Sequence, residues 1–495
     1  MGEKAFLRGA GILLSITSLP SEYGMGTLGN AACSFVDLLV DLRQKYWQIP
    51  QFVDTGCIDE VYQSHSVFAG NPYLIDLGIL ITQGLVMKEE VGFFDRPGKK
   101  GHIDYRDVCE KHFQVLETAF SRFDSSSKAF ESFCEKNKEW LDDYSFFMSL
   151  KTFSGNKEWF RWEDSLRNRN SETMKRYGKQ LANQICFWKF CQYLFFSQWN
   201  RLKKYANARG IQLIGEVPLY VKYDSAEVWA NKELFALDDD GILQMTAGYP
   251  TDEAKGGGGK DVVPAYRWEQ MEEDNFSWWQ KRIKNAAAMY DVLCIDGFPD
   301  IVKFYEKPLK GRTVQAGRWH KGPGKKLADV LEQASGDCKL FAGNPDSLLP
   351  GARRLAVRMG WPVVKVLPEA FSDSTANANL PSNYTDTKAV VYAGTRGNMS
   401  MTAFFRDKTE YELAFLYEYL GIASKEEIPD AIIRLAYSSV ADVVIMRMRD
   451  ILNTDSDYGA GRPAEQEVFQ WGTGEDGLTE ERRAWLRTLA AVYRR

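Results

Sequence analysis

The sequence has few of the side chains that bind metals in clusters. Only four histidines occur among 495 residues, and no two of them stand at the spacing of a metal motif. Eight cysteines are scattered along the chain without a C-x-x-C pair, a distribution typical of free thiols in a large protein. We therefore expect neither a bound metal nor a cofactor.

The sequence also lacks an excess of either charge and any long apolar run. Lys and Arg number 62 against 67 Asp and Glu, a formal net charge of −5, so we expect no nucleic-acid partner. No segment approaches the roughly 18 apolar residues of a membrane-spanning helix, and the first residues lack the pattern of a signal peptide. These absences predict a cytoplasmic protein with no membrane partner.

What the sequence does contain is a series of eight short apolar runs, most of them separated by stretches of helical periodicity such as Phe276–Met289 and Lys325–Gln333. Continuous apolar runs are typical of strands buried on both faces, and their alternation with helices is typical of a parallel sheet. Eight such strands predict an α/β fold, a TIM (β/α)8 barrel. The runs are Gly11–Leu19, Gln44–Pro50, Ile211–Val221, Asp291–Phe298, Lys339–Ala342, Val363–Phe371, Ala389–Ala393 and Ala441–Met446.

A long polar, aromatic-rich segment, Thr82–Ala208, separates the second and third predicted strands. Tyr105–Ser121, Ser127–Leu150 and Asn183–Ala206 within it have the periodicity of amphipathic helices. No interdomain linker is evident in the sequence. We therefore expect a single barrel domain over residues 1–495, with a helical insertion subdomain at 82–208 packed on it.

Five long, gap-free signatures resemble those of the amylomaltase-type 4-α-glucanotransferases, glycoside hydrolase family 77. The resemblance implies a barrel of the α-amylase-superfamily type with helical insertions, whose site lies at the carboxyl ends of the strands. It also implies the transfer of 1,4-α-glucan segments with retention of configuration. The signatures are GILLSITSLPSEYGMGTLG at Gly11–Gly29, VYQSHSVFAGNPYLIDL at Val61–Leu77, GEVPLYVKYDSAEVWANKELF at Gly215–Phe235, GRWHKGPG at Gly317–Gly324 and LAYSSVAD at Leu435–Asp442.

Retaining transfer needs two carboxyl groups about 5–5.5 Å apart, one as nucleophile and one as acid/base. The family's nucleophile motif R-I-D-H-F-R reads C-I-D-G-F-P here, so the resemblance places Asp296 at the nucleophile position. Cys294 stands in place of the arginine that would keep this carboxylate ionised. Gly297 and Pro299 stand in place of the histidine and the second arginine. Asp296 is therefore either a nucleophile or a structural aspartate at the rim of the barrel.

The two other carboxylates of the family's site are absent. Its motif A-E-D-L-G reads A-G-N-P-D, with Gly343 at the acid/base position, and the loss of such a group costs about 10²–10⁴-fold in rate. Its motif G-T-H-D-N reads G-T-R-G-N, with Gly397 at the stabilising carboxylate and Arg396 at the histidine. A cation at 396 either opposes the developing glycosyl cation or pairs with Asp296 in a stable, inert site.

The positions that would contact the sugar are altered as well. The family loop PPDYFSATGQLWGNPLY aligns with Pro250–Tyr266 and loses its aromatic residues at Ala254 and Asp261, and the histidine of LPHNY is Ser382. The resemblance leaves five residues at candidate substrate-binding positions, which are Asp59, Tyr62, Trp229, Arg396 and Asn398.

Three hypotheses follow. The first is a pseudoenzyme that binds α-glucan, such as a maltooligosaccharide, or a protein partner. The second is an active, divergent 4-α-glucanotransferase with Asp296 as nucleophile and a relocated acid/base. The third is a structural or partner-binding protein without sugar affinity. The candidates for a relocated acid/base are Glu60, Asp252, Asp300, Asp346 and Glu369.

Overall fold

Eight parallel strands form the closed barrel that the sequence predicts. The structure, a computed structural model, describes residues 4–50, 65–94, 105–248, 263–310, 313–314, 316–343, 350–371, 375–395, 399–453 and 478–495. In chain order its strands are β1 (Gly9–Leu13), β2 (Tyr46–Gln48), β3 (Gln212–Pro218), β4 (Met245–Gly248), β5 (Val292–Asp296), β6 (Lys303–Lys310), β7 (Thr313–Val314), β8 (Arg318–Lys321), β9 (Lys339–Ala342), β10 (Val363–Val366), β11 (Ala389–Tyr392) and β12 (Val443–Arg447).

The order around the barrel is β1-β12-β11-β10-β9-β5-β3-β2, so each of the eight predicted runs supplies one barrel strand. Several strands are shorter than predicted. The run Val363–Phe371 is a strand only to Val366, and Leu367–Phe371 forms a short 3-10 helix. Pro368 lies at that change, and proline has no N–H to donate to a sheet ladder.

Helices surround the barrel and fill its connections. In chain order they are α1 (Asn30–Asp41), α2 (Leu77–Thr82), α3 (Tyr105–Ser121), α4 (Lys128–Phe153), α5 (Asp164–Arg167), α6 (Ser171–Gln180), α7 (Ala182–Ala208), α8 (Ala226–Ala230), α9 (Trp268–Glu273), α10 (Ser277–Met289), α11 (Phe298–Val302), α12 (Lys325–Ala334), α13 (Pro350–Met359), α14 (Met401–Arg406), α15 (Glu410–Leu420), α16 (Ile428–Ser438), α17 (Met448–Leu452) and α18 (Glu480–Val492).

The segment between β2 and β3 is helical where the sequence predicts helices. Helices α3, α4 and α7 cover the three periodic stretches, and α4 packs along α7 through aromatic pairs such as Phe133–Tyr193 and Trp140–Phe196. Gln192 of α7 also bonds both backbone groups of Gly70, at 2.8 and 2.9 Å. These contacts join the helices to the loop that follows β2. Their treatment as a separate subdomain stays a prediction.

A small antiparallel sheet lies outside the barrel, and sequence periodicity did not indicate it. Strand β6 pairs with β4, β7 and β8 and follows the short helix α11, which comes after the strand that ends at Asp296. The β6 sequence KFYEKPLK mixes charged and aromatic residues. It lacks the regular alternation of apolar and polar residues that predicts a strand.

The barrel interior and the layer beneath the helices are two separate apolar cores. The interior contains Tyr46, Ile214, Val292, Phe341 and Val364 with their neighbours. A second, larger cluster fills the space between strands and helices. Because side chains alternate along a strand, this division fixes which residues face into the barrel. No helix among the described residues is long and apolar enough to cross a membrane.

Candidate functional site

Asp296 is the last residue of β5 and faces the barrel interior at its carboxyl mouth. It stands two and four residues after Cys294 and Val292, both of which lie in the interior core. The four residues before it in β5 are buried, and Asp296 itself is exposed. Its carboxylate makes no hydrogen bond or ion pair with any other residue that the structure describes. The position fits a nucleophile in a barrel.

The backbone around Asp296 is held by the loop that follows β3. The Leu219 N–H donates to the carbonyl oxygen of Asp296 at 2.9 Å. Gly297 next has φ of +73°, and a β-carbon there would lie 3.1 Å from Cβ of Leu219. A side chain at 297 would be strained in this left-handed conformation. The local backbone at 297 thus favours glycine, where the family motif that the sequence resembles has histidine.

Arg282 of α10 also holds the loop that follows β3 through hydrogen bonds to its backbone. Its two Nη atoms donate to the carbonyl oxygens of Leu219 at 3.1 Å and Pro218 at 2.5 Å, and the Tyr266 hydroxyl donates to Leu219 at 2.7 Å. Burial lowers the pKa of Arg282 and raises that of Tyr266. The role of Arg282 is not predictable from the sequence, because a buried arginine on a helix carries no motif, and that of Tyr266 depends on a contact with a segment distant in sequence.

Gly343, which the resemblance aligns with the acid/base position, follows β9 directly beside Asp296. Its N–H donates to the carbonyl oxygen of Ile295 at 3.0 Å. A β-carbon at 343 would lie 2.8 Å from that oxygen and 3.1 Å from both Cα of Asp296 and Sγ of Cys294. Real β-carbons essentially never approach within 3.0 Å of another heavy atom. The backbone of β5 therefore leaves no room for a side chain at position 343.

A chain of polar side chains crosses the barrel interior one layer below Asp296. The Tyr392 hydroxyl donates to Oε1 of Gln48 at 2.8 Å, and Nε2 of Gln48 donates to Oε1 of Glu216 at 2.8 Å. Glu216 pairs in register with Cys294 on the neighbouring strand. Sequence analysis did not single out these residues, although their positions, two after the interior residues Tyr46, Ile214 and Val390, predict that they face inward.

Two of the five candidates for a relocated acid/base lie in described segments, and neither lies on the strand end beside Asp296. Asp300 is 1% exposed and accepts a hydrogen bond from the Tyr220 hydroxyl at 2.8 Å, as a structural carboxylate does. Glu369 is exposed on the short helix after β10, which is separated from β5 by β9. Glu60, Asp252 and Asp346 lie outside the described residues.

Trp229 does not fit its expected role in sugar binding. Its side chain is 0% exposed, and its indole N–H donates to the carbonyl oxygen of Leu166 at 3.1 Å. The guanidinium of Arg169 lies 4.3 Å from the ring centroid, and the Phe147 and Trp162 rings pack against it. The ring has no face open to a ligand, so Trp229 belongs to the core. Within the signature DSAEVWAN, Trp229 therefore contributes to packing of the core.

The remaining predicted positions, Asp59, Tyr62, Arg396, Gly397 and Asn398, lie outside the described residues. The described neighbour of the last three is Thr395, whose hydroxyl donates to the carbonyl oxygen of Met399 at 2.5 Å. Within the described ranges, no group of three or more His, Cys, Asp and Glu side chains is placed to hold a metal ion. The described cysteines are free thiols.

Comparisons with known proteins agree with this architecture. A sequence profile of the family described as 4-alpha-glucanotransferase matches residues 14–473. The chain is 37% identical to the 4-alpha-glucanotransferase of Thermus thermophilus over 99% of both chains, and 35% identical to that of Clostridium butyricum over 97% of this chain and 100% of that one. Among solved structures, it is similar to the amylomaltase from Streptococcus agalactiae in complex with acarbose, with a TM-score of 0.90 and 34% identity over 99% of each chain.

Proposed function

Because the chain belongs to the 4-alpha-glucanotransferase family, we propose that it binds 1,4-α-glucan at the carboxyl mouth of its barrel and has lost glucan transfer. Glucan binding is supported by the full-length similarity to a relative solved in complex with acarbose. Loss of transfer is supported by the residues that surround Asp296. Of the carboxyl pair that retaining transfer requires, the motif resemblance retains one member as Asp296 and has glycine at the other position.

The observation that carries this proposal is the backbone at Gly343. A catalytic carboxyl group must be held within about 1 Å of its productive position, since such a misplacement can cost 10²-fold in rate. The carbonyl oxygen of Ile295 occupies the space that a β-carbon at 343 would need. The backbone at this strand end therefore fits glycine. This fit supports a change in the backbone, and not only in the side chain, at the acid/base position.

An active, divergent 4-α-glucanotransferase is the second candidate, and the comparisons favour it over the first. Both relatives compared above by sequence, from Thermus thermophilus and Clostridium butyricum, are named as the enzyme 4-alpha-glucanotransferase. The exposed carboxylate of Asp296 also suits a nucleophile, because it is not committed to another described residue. In this mechanism Asp296 attacks the anomeric carbon, and a carboxyl group from another part of the mouth protonates the leaving oxygen.

Incubation with maltotriose separates the two candidates. We expect no glucose and no longer oligosaccharides above background, because the loss of the acid/base alone costs about 10²–10⁴-fold. The Thermus thermophilus relative serves as the positive control, and Asp296→Asn as the matched inactive variant. Transfer that this variant abolishes would establish the second candidate and overturn the first.

Calorimetric titration with maltotriose tests the binding half of the proposal. We expect a measurable dissociation constant for maltotriose with no product formed. A protein that neither transfers nor binds maltotriose would instead support a structural or partner-binding role, in which the mouth has no affinity for sugar.

A further inference from the structure

We propose that helix α15 provides an accessory platform for a 1,4-α-glucan chain that leads away from the barrel mouth. The platform is the aromatic stripe Tyr411, Phe415 and Tyr419, three residues spaced four apart on one face of the helix. The proposal rests on the proposed glucan binding at the mouth and extends it to a second, neighbouring surface.

The topology places α15 on the same side of the barrel as Asp296. Helices α14 and α15 lie between the carboxyl end of β11 and the helix α16, which leads back to β12. A connection at the carboxyl end of a barrel strand lies on the mouth face. The loop containing Ser382 is held at the carboxyl end of β10, where Oδ1 of Asn379 accepts from the Val366 N–H at 3.2 Å. The aromatic stripe is thus next to the mouth.

A direct contact joins the aromatic stripe to that loop. The Tyr419 hydroxyl donates to Oγ of Ser382 at 3.3 Å, the position at which the family's LPHNY motif has histidine. The Tyr419 ring packs 5.8 Å from Phe415 and 5.6 Å from Phe371, measured between centroids. Phe371 ends the short helix after β10. The Tyr419 end of the stripe therefore lies against the segment that follows the carboxyl end of β10.

Tyr411 forms the outer end of the stripe, and its side chain is 92% exposed. Four helical residues span about 6 Å, so Tyr411 and Tyr419 are separated by about 12 Å along the axis. The helix beneath them is rigid: Leu413 and Leu416 are fully buried, and a capping box joins Thr409 and Glu412. Because the helix is already formed, a ligand that binds Tyr411 would not have to order the backbone beneath it.

The chemistry of the stripe favours a neutral sugar chain. Apolar faces of glucose rings pack against aromatic rings, and the hydroxyl of the exposed Tyr411 can bond a sugar hydroxyl. Glu410, Glu412 and Glu418 share the helix with the stripe, and their charge disfavours anionic ligands such as nucleic acids. A glucan that occupies the mouth and passes Ser382 would meet Tyr419, then Phe415, then Tyr411.

Binding of maltotriose, maltoheptaose and amylopectin by Tyr411→Ala tests the proposal. We expect affinity for maltoheptaose and amylopectin to fall about three- to tenfold, which corresponds to the loss of one aromatic contact. Maltotriose, which the mouth alone can hold, should bind as before. Tyr411→Phe, which keeps the ring, should retain most of the affinity. Phe153→Ala removes a ring that is 48% exposed in the helical insert and should have no effect.

The outcomes separate the platform from the mouth. Equal affinities of Tyr411→Ala and Phe153→Ala for the long glucans would overturn the platform. A loss of amylopectin binding in Tyr411→Ala, with no maltotriose binding by any variant, would overturn the mouth proposal and leave the platform standing. A change in oligomeric state by size-exclusion chromatography, with glucan affinity unchanged, would assign the stripe to a contact between two copies and overturn the proposal.

Discussion

Two aspartates near the carboxyl ends of neighbouring strands have opposite surroundings. Asp224, in the loop after β3, is buried; its Oδ2 accepts from Nζ of Lys151 at 2.6 Å and its Oδ1 accepts from the Trp159 N–H at 3.1 Å. Asp296, at the end of β5, is exposed and has no partner among the described residues. The Asp224 carboxylate thus joins the helical insert to the barrel. The Asp296 carboxylate joins no two described segments.

The junction with the helical insert and the barrel mouth differ in how many of their polar groups have partners. We define the junction as Lys151, Trp159, Tyr223, Asp224 and Glu227. Its polar groups are largely paired: the Trp159 indole N–H donates to the carbonyl oxygen of Tyr223 at 2.7 Å, and Oε1 of Glu227 accepts from the Ser66 hydroxyl at 2.5 Å, whereas Oε2 of Glu227 is buried without a partner in the described part of the chain. At the mouth, the groups beside Asp296 are a thiol and a glycine. Selection for folding preserves a junction of this kind, whereas only selection for chemistry preserves a carboxyl pair.

Removing the cation at the junction should have the largest effect. Lys151→Met leaves the Asp224 carboxylate buried without a counter-charge, and we expect the free energy of unfolding to fall by about 3–5 kcal/mol. Urea denaturation measures it. Lys138→Met on the same helix α4 is the matched control, because Lys138 and Glu135 form an exposed pair that contributes about 0–1 kcal/mol. Equal losses in the two variants would contradict the distinction.

Glu227 should make the junction sensitive to pH. Burial raises its pKa to about 7, against the opposing hydrogen bond from Ser66. The folded state therefore holds this proton more tightly than the unfolded chain, so the associated stability is present below about pH 4.5 and is lost as the pH rises through about 7. The shift corresponds to roughly 3 kcal/mol.

Glu227→Gln cannot ionise, so we expect it to equal the parent protein near pH 4.5 and to exceed it in stability at pH 8. Urea midpoints at the two pH values measure the difference, and the exposed Glu233→Gln serves as control. A parent protein that is as stable at pH 8 as near pH 4.5, relative to Glu227→Gln, would show that the carboxyl is solvated.

At the mouth, Gly343→Ala tests whether the strand end is adapted to glycine. The added β-carbon would press on the carbonyl oxygen of Ile295, and overpacking of this kind costs about 1–3 kcal/mol. Gly178→Ala in helix α6 is the control, since a β-carbon there meets nothing within 4 Å and alanine favours a helix by up to about 1 kcal/mol. A neutral Gly343→Ala would show that the acid/base position can still take a side chain.

The sequence predicted the scaffold better than the site, for physical reasons. Buried strands such as Lys339–Ala342 and helices such as Tyr105–Ser121 occur with the predicted bounds, because apolar periodicity records burial directly. Trp229 was misjudged because a signature match does not reveal whether a residue packs or binds. Arg282 and the contact between Gly343 and Ile295 were not predictable, since both depend on segments that are distant in sequence.

Asp296→Asn should have the smallest effect on stability. An ion pair with Arg396 would be expected to make this change destabilising, but that residue lies outside the described ranges. Because Asp296 is exposed, even an ion pair there would contribute only about 0–1 kcal/mol. The amide has nearly the shape of the carboxylate and leaves the backbone bond from Leu219 intact. We therefore expect a change below about 0.5 kcal/mol, as for other surface substitutions, measured by urea denaturation beside Asp224→Asn. A loss as large as that of Asp224→Asn would show that Asp296 is a structural aspartate with a buried partner, and the contrast between junction and mouth would not hold.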